Sequence, residues 1–174
     1  WWPDILRLDG YVAGTKVFSC PSVLTVDPAN PLGASPNNYL GIGINLEEFG
    51  IGIHATNPSR QTPRETEVLH PSESLVFGDS SDIRQGTPPW AMQAQYADQW
   101  VGNPAGPGTG SVRFIVPSYG NNYFATGDGR TVPRHQGRLN IAWFDGHASL
   151  FKNSDIGYQF YPPAGDPRAL WDKK

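Results

Sequence analysis

Four side chains, Asp79, His135, Asp145 and His147, have the types and spacing that suit metal binding. Imidazole nitrogens combined with carboxylates are typical zinc ligands, whereas carboxylates combined with backbone carbonyls suit calcium. A structural role is the competing interpretation, because an aspartate in a tight turn accepts backbone N–H bonds through its carboxylate. The sequence favours a structural role for these four residues, and a metal site is the alternative.

A hydrolytic site is a second chemical alternative. The segment Gly78-Asp79-Ser80 follows an apolar run and resembles the nucleophile block of the Gly-Asp-Ser esterases. Those enzymes need a serine at a strand end and a late Asp-x-x-His whose histidine acts as base. Here the late element, Asp145-Gly146-His147, is one residue short, and the alternating α/β pattern is missing. The esterase interpretation therefore ranks below a non-catalytic one.

A catalytic cysteine has still less support from the spacing of residues. Cys20 could be paired with His54 or His70 as nucleophile and base, but no motif links them. Its position beside Pro21, after an apolar pair, indicates a small buried residue. As the single cysteine of the chain, it cannot form an internal disulfide.

Loop aromatics provide a further alternative, a carbohydrate-binding surface. The chain has six Trp and seven Tyr, and aromatic faces stack on sugars. Four of these residues fall in segments expected to be loops: Trp90, Tyr96, Trp100 and Tyr123. Anchoring of the core and of the loops explains the same residues equally well.

The elements that position these side chains are mostly strands. An apolar, aromatic and β-branched run at 138–144, the turn signal Asp145-Gly146 and a second apolar run at 147–151 predict a β-hairpin. Asp79 is expected just after the end of another strand. Further strands are expected at 39–45, 74–78 and 111–116, a helical turn at 91–98, and the end of a longer helix at 2–12 that stops at Gly10.

Composition limits the fold and the partners. Gly and Pro number 20 and 17 in 174 residues, which favours turns and long loops, while 38% hydrophobic residues suffice for a core. The formal charge of -3 and the absence of a basic run argue against nucleic acid as a partner. We expect one α+β domain over residues 1–174.

The spacing of the C-terminal residues carries a family resemblance. His135, nine residues and then Asp145-Gly146 resemble the C-terminal motif of a large bacterial family of type II secretion pseudopilin-like proteins. Other elements follow in the family's order: Cys20-Pro21-Ser22, Asn38-Tyr39-Leu40-Gly41 and Leu75 to Asp79. The C-terminal motif is fairly specific, and the Cys-Pro-Ser element moderately so.

This resemblance implies a pilin-like fold, in which the end of an N-terminal helix packs on a small antiparallel β-sheet with long loops. It implies a structural subunit of a type II secretion pseudopilus or type IV pilus-like filament, without catalytic residues or a cofactor. The family's leader and N-terminal membrane helix are not in this sequence, so we expect a globular part that lacks them. The calcium-loop pattern of major pseudopilins is not recognisable here.

The resemblance also implies location and partners. The protein is expected to be exported, with a precursor anchored in the inner membrane and a head domain in the periplasm or at the cell surface. Its partners would be other pilin-like subunits, the secretion machinery, and exported cargo or glycan. Five residues are expected to support the structure around the hairpin: Arg134, His135, Asn140, Asp145 and Gly146. The first three are expected to pair with Asp79 or Asp145.

Overall fold

The computed structural model describes residues 6, 8–13, 20–22, 41–49, 63–83, 94–100, 102, 113–116, 129–160 and 166–172. Its strands are β1 (Ile42–Asn45), β2 (Leu75–Asp82), β3 (Arg113–Phe114), β4 (Gly129–Thr131), β5 (Leu139–Trp143) and β6 (Ala148–Phe151). A four-residue α-helix, α1 (Leu46–Phe49), follows β1 directly. Short 3-10 helices cover Glu65–Glu67, Pro71–Glu73, Ala94–Gln99 and Asn153–Ile156.

The strands form one mixed sheet in the order β3-β1-β2-β5-β6, with β4 paired to β2. Four of the five strand pairings in the described part are antiparallel, and the pairing of β1 with β3 is parallel. The predicted combination of a sheet with little helix is therefore confirmed, but the sheet is not purely antiparallel. The expectation of one domain over 1–174 stays a prediction.

Strand β2 is the centre of the sheet because it pairs with β1, β5 and β4. A bulge interrupts its pairing with β5 between Leu75 and Phe77. One extra residue changes which face the following side chains occupy. Leu75 accordingly belongs to one buried cluster, while Val76 and Phe77 pack against the other.

The larger buried cluster is built on alternate residues of β5, namely Leu139, Ile141 and Trp143. Alternation places these three side chains on one face of the sheet and Asn140 and Ala142 on the other. The larger cluster also contains two fully buried tryptophans, Trp100 and Trp171. The smaller cluster is centred on Ile44, Phe49 and Val68.

The C-terminal hairpin is confirmed. Strands β5 and β6 pair in antiparallel register, with Ala142 opposite Ala148 at the end near the turn. Gly146 has a φ of 90° in that turn, a conformation that glycine adopts without steric cost. The sequence placed this element correctly because its signals are local.

One prediction on strands is wrong, because Asp79 does not follow a strand end: β2 continues through it to Asp82. Strand β4 was not predicted, because Gly129–Thr131 has no apolar alternation, but its residues are buried beside β2. A 3-10 helix at Ala94–Gln99 matches the expected helical turn.

The helix predicted over 2–12 falls partly outside the described residues, so it stays a prediction. In the described part, Leu6 and Leu8 have helical backbone, and the Leu6 carbonyl accepts bonds from the N–H groups of Tyr11 and Val12 at 2.9 and 3.2 Å. Gly10, with a φ of 78°, provides the left-handed residue typical of such helix ends. Within the described part, no helix has both the length and the apolar character that a membrane crossing needs.

Candidate functional site

The strongest cluster of reactive side chains joins three distant parts of the chain, Cys20, Asp79 and His135. The Cys20 Sγ lies 3.6 Å from His135 Nε2, and the same nitrogen lies 3.3 Å from Asp79 Oδ2. Each residue offers one metal-ligand atom, and the three atoms all lie within 4.8 Å of one another. We call these three residues the Cys20 cluster.

Asp79 is held in place by Asn140. The Asn140 backbone N–H donates to Asp79 Oδ2 at 2.6 Å, and its side-chain amide donates to the same oxygen at 3.3 Å. The side chain of Asp79 is only 2% exposed. A carboxylate buried this deeply needs charge-assisted partners to offset its lost hydration.

Arg134 provides a positive charge beside this carboxylate, with Nη1 at 4.0 Å from Asp79 Oδ1. Its guanidinium also donates to the Gly41 carbonyl at 2.6 Å and to the Ser80 carbonyl. Burial lowers the pKa of Arg134, and its electrostatic interaction with the Asp79 carboxylate works in the opposite direction. The guanidinium therefore ties the start of β1 to the middle of β2.

His135 reaches the cluster because of a tight turn that the sequence analysis missed. His135 and Arg138 exchange backbone hydrogen bonds at 2.8 and 3.0 Å around Gln136 and Gly137. Both central residues have positive φ, 55° and 75°. This is the pattern of a type I′ turn, and it fixes the backbone from which the imidazole extends.

A cavity of about 340 Å³ borders the Cys20 cluster. All three cluster residues line it, and the rest of its wall is mainly apolar. The other lining residues are Pro21, Ile42, Phe77, Gly78, Asn140, Ile141, Ala142 and Ala148. An apolar cleft with a few convergent polar groups is the usual form of a small-ligand site.

Comparisons with protein families, with curated proteins and with solved structures find no match to this chain. What the site does must therefore be argued from its own geometry.

The second Asp–His pair lies at the turn of the hairpin. Asp145 Oδ1 accepts the backbone N–H of His147 at 3.1 Å and lies 2.6 Å from His147 Nδ1. The backbone bond is the main cause that lowers the pKa of Asp145, and the side-chain bond adds to it. The imidazole of His147 also stacks on Trp143, with ring centroids 5.7 Å apart. We call Asp145 and His147 the turn pair.

The four predicted metal candidates thus divide into two groups. Asp79 and His135 meet in the Cys20 cluster, and Asp145 and His147 meet in the turn. The two groups are separated along strand β5. Three strand residues, a span of about 10 Å, lie between Asn140 and the start of the turn. The residues predicted to support the hairpin divide in the same way: Arg134, His135 and Asn140 contact Asp79, whereas Asp145 and Gly146 form the turn.

The other candidates from the sequence occupy less favourable positions. Ser80 is fully buried within β2, so it is not an exposed nucleophile at a strand end. Trp100 is buried against Tyr158, with ring centroids 5.4 Å apart, and presents no open face to a sugar. Tyr96 is partly buried in its 3-10 helix and His70 is exposed. His54, Trp90, Tyr123 and the motif residues 38–40 lie outside the described residues.

Proposed function

We propose that this chain is the extracytoplasmic globular domain of a pilin-like subunit, belonging to a type II secretion pseudopilus or a type IV pilus-like filament. Its partners are other pilin-like subunits and the secretion machinery, and its precursor is exported and anchored in the inner membrane. The role is structural. Three segments of the chain that resemble the family, those at Cys20, Asp79 and His135, meet at one place in the fold, which supports a common structural purpose for them.

The observation that carries the proposal is the packing of the described residues around Leu6 against the sheet. Leu6 and Val12 pack against the smaller buried cluster, and Leu6 and Leu8 have helical backbone. A helix end packed on the sheet is what the proposal expects of a pilin-like subunit. An apolar helix preceding this end would pack against its copies in a filament core and leave the sheet facing outward.

Exposed apolar side chains at the same helix end support contacts between subunits. Leu8 and Tyr11 are 74% and 76% exposed, and they lie two and five residues after Leu6, whose carbonyl accepts the Tyr11 N–H. Single exposed apolar residues are ordinary, but two beside a helix end form a small contact surface. We expect this surface to touch the neighbouring subunit.

The test begins with the coding sequence upstream of Trp1. A short basic leader, a Phe or Met start, a Glu at the fifth mature position and about twenty apolar residues would support the proposal. An ordinary cleaved signal peptide or a cytosolic start at this point would overturn it.

A variant pair then tests the role in the full-length protein, co-produced with a prepilin peptidase and assembled into filaments. Leu8→Glu should reduce the sheared filament fraction several-fold without lowering the thermal stability of the globular domain. Leu150→Glu is the matched control, because Leu150 is also exposed but lies on β6. Equal loss with both variants, or with neither, would contradict a subunit contact at the helix end.

A further inference from the structure

We propose that the Cys20 cluster binds a zinc ion through Cys20 Sγ, Asp79 Oδ2 and His135 Nε2. The site differs from the four-residue metal site considered from the sequence, because it includes the cysteine and excludes the turn pair. Thiolate, imidazole and carboxylate together suit zinc, whereas calcium and magnesium prefer oxygen ligands alone.

Two of the three distances between the ligand atoms are close to those around a tetrahedral zinc ion. With Zn–S near 2.3 Å and Zn–N and Zn–O near 2.0 Å, tetrahedral angles place sulfur about 3.5 Å from nitrogen and nitrogen about 3.3 Å from oxygen. The corresponding separations in the Cys20 cluster are 3.6 Å and 3.3 Å. The third separation, from sulfur to the carboxylate, is at most 4.8 Å.

The obvious alternative is a nucleophilic Cys–His–Asp triad, and the geometry disfavours it. In a triad the nucleophile contacts one imidazole nitrogen, and the carboxylate orients the ring through the other nitrogen. Here Cys20 and Asp79 both approach the same nitrogen, His135 Nε2. One nitrogen cannot accept the thiol proton while it donates to the carboxylate. Convergence of three donor atoms on one point is the arrangement of a metal site.

The surrounding residues position the carboxylate ligand. Asn140 donates two hydrogen bonds to Asp79 Oδ2, and Arg134 lies nearest the other oxygen, Oδ1. Outer partners of this kind orient metal ligands and adjust their charge. The backbone bonds that close the turn between His135 and Arg138 restrict the third ligand in the same way.

The fourth ligand of the zinc ion would occupy the cavity beside the Cys20 cluster. Three protein ligands and an open position filled by water or a small ligand are typical of zinc sites that contact solvent. When zinc binds, the Cys20 thiol releases its proton to solvent. Asp79 then coordinates the ion as an ionised carboxylate, and His135 coordinates it as a neutral imidazole. The bound ion then joins segments 115 residues apart, from Cys20 to His135. This inference is independent of the filament role, which stands if zinc does not bind.

Tag-free protein in a chelated and dialysed buffer provides the test. We expect Zn²⁺ to bind at one ion per chain in titration calorimetry and to raise Tm. Co²⁺ should give the thiolate charge-transfer band and the intense visible bands of a tetrahedral complex. Cys20→Ser should abolish the charge-transfer band and weaken Zn²⁺ binding by more than about 100-fold, because loss of an outer partner alone costs about 10- to 100-fold.

Two further variants keep the test decisive. His135→Gln changes a side chain that is 30% exposed, so the fold should survive while Zn²⁺ affinity falls as it does in Cys20→Ser. His147→Ala removes the imidazole of the turn pair and should leave both affinity and spectrum unchanged. Absence of Zn²⁺ binding, a Co²⁺ spectrum without the thiolate band, or full affinity in Cys20→Ser would each overturn the proposal.

Discussion

Two Asp–His pairs of the same chemistry lie in opposite surroundings in this molecule. In the Cys20 cluster, Asp79 and His135 are 3.3 Å apart and 56 residues apart in sequence, and the carboxylate is buried. In the turn pair, Asp145 and His147 are 2.6 Å apart and separated by one residue, and both are exposed. We expect the shorter contact to contribute less to stability, because water screens exposed charges. If so, burial is a better guide to importance than distance.

The strongest test of this difference removes the carboxylates of Asp79 and Asp145 in separate variants. Asp79→Ala removes the carboxylate beside the buried guanidinium of Arg134 and the acceptor of the Asn140 N–H. We expect a loss of about 3 kcal/mol in the free energy of unfolding, measured by urea denaturation with chelator present. Asp145→Ala, the matched control, should cause a much smaller loss. Equal losses from the two substitutions would show that burial does not separate the pairs.

Backbone conformation, not charge, should make the turn sensitive to mutation. A side chain at Gly146 would meet open space, so Gly146→Ala tests only the positive φ of 90°. We expect a loss of about 1 kcal/mol by thermal or urea unfolding. Gly146→Asn is the control and should lose less, since asparagine tolerates positive φ. A larger loss with asparagine than with alanine would refute the backbone explanation.

The smallest expected effect concerns pH. The folded pKa of Asp145 lies below its ordinary value of 3.8, so the ionised carboxylate stabilises the fold above that value. This contribution is lost as the pH falls through the lower folded pKa. The difference in Tm between the wild type and Asp145→Asn should therefore be constant near neutral pH and shrink on acidification below pH 3.8. A difference that grows on acidification would contradict the assigned sign.

NMR titration of the Asp145 carboxyl carbon sharpens this prediction. The midpoint should lie below 3.8 in the wild type. His147→Ala removes the side-chain bond but retains the backbone bond, which is the larger cause. The midpoint should therefore rise only part of the way toward 3.8. A complete return to 3.8 would mean that the imidazole is the main cause.

The hairpin was predictable because its information is local. Asp145-Gly146 between apolar runs determines the turn, and the strands follow on either side. The extent of β2 was not predictable in the same way. Its last three residues, Ser80, Ser81 and Asp82, include no apolar residue to indicate a strand, yet they pair with β4. Pairing between distant segments extends the strand where the local pattern gives no signal.

The candidate site was predictable in part. Of the four candidates, Asp79 and His135 lie together in the fold, whereas Asp145 and His147 form a separate pair in the turn. Cys20 was not recognised as a neighbour of Asp79 and His135, because a contact over 115 residues leaves no trace in local spacing. The one sequence signal at Cys20 was the Cys-Pro-Ser element of the family resemblance, and that resemblance gave Cys20 no chemical role.

The position of β2 at the centre of the sheet has a consequence for when the protein folds. Its partner β5 lies more than fifty residues later in the chain, and the Leu75 N–H bonds to the carbonyl of Leu170, close to the C-terminal end. High contact order of this kind delays folding. A chain still being synthesised therefore cannot complete the sheet around β2 when β2 emerges, because β5 follows only after more than fifty further residues.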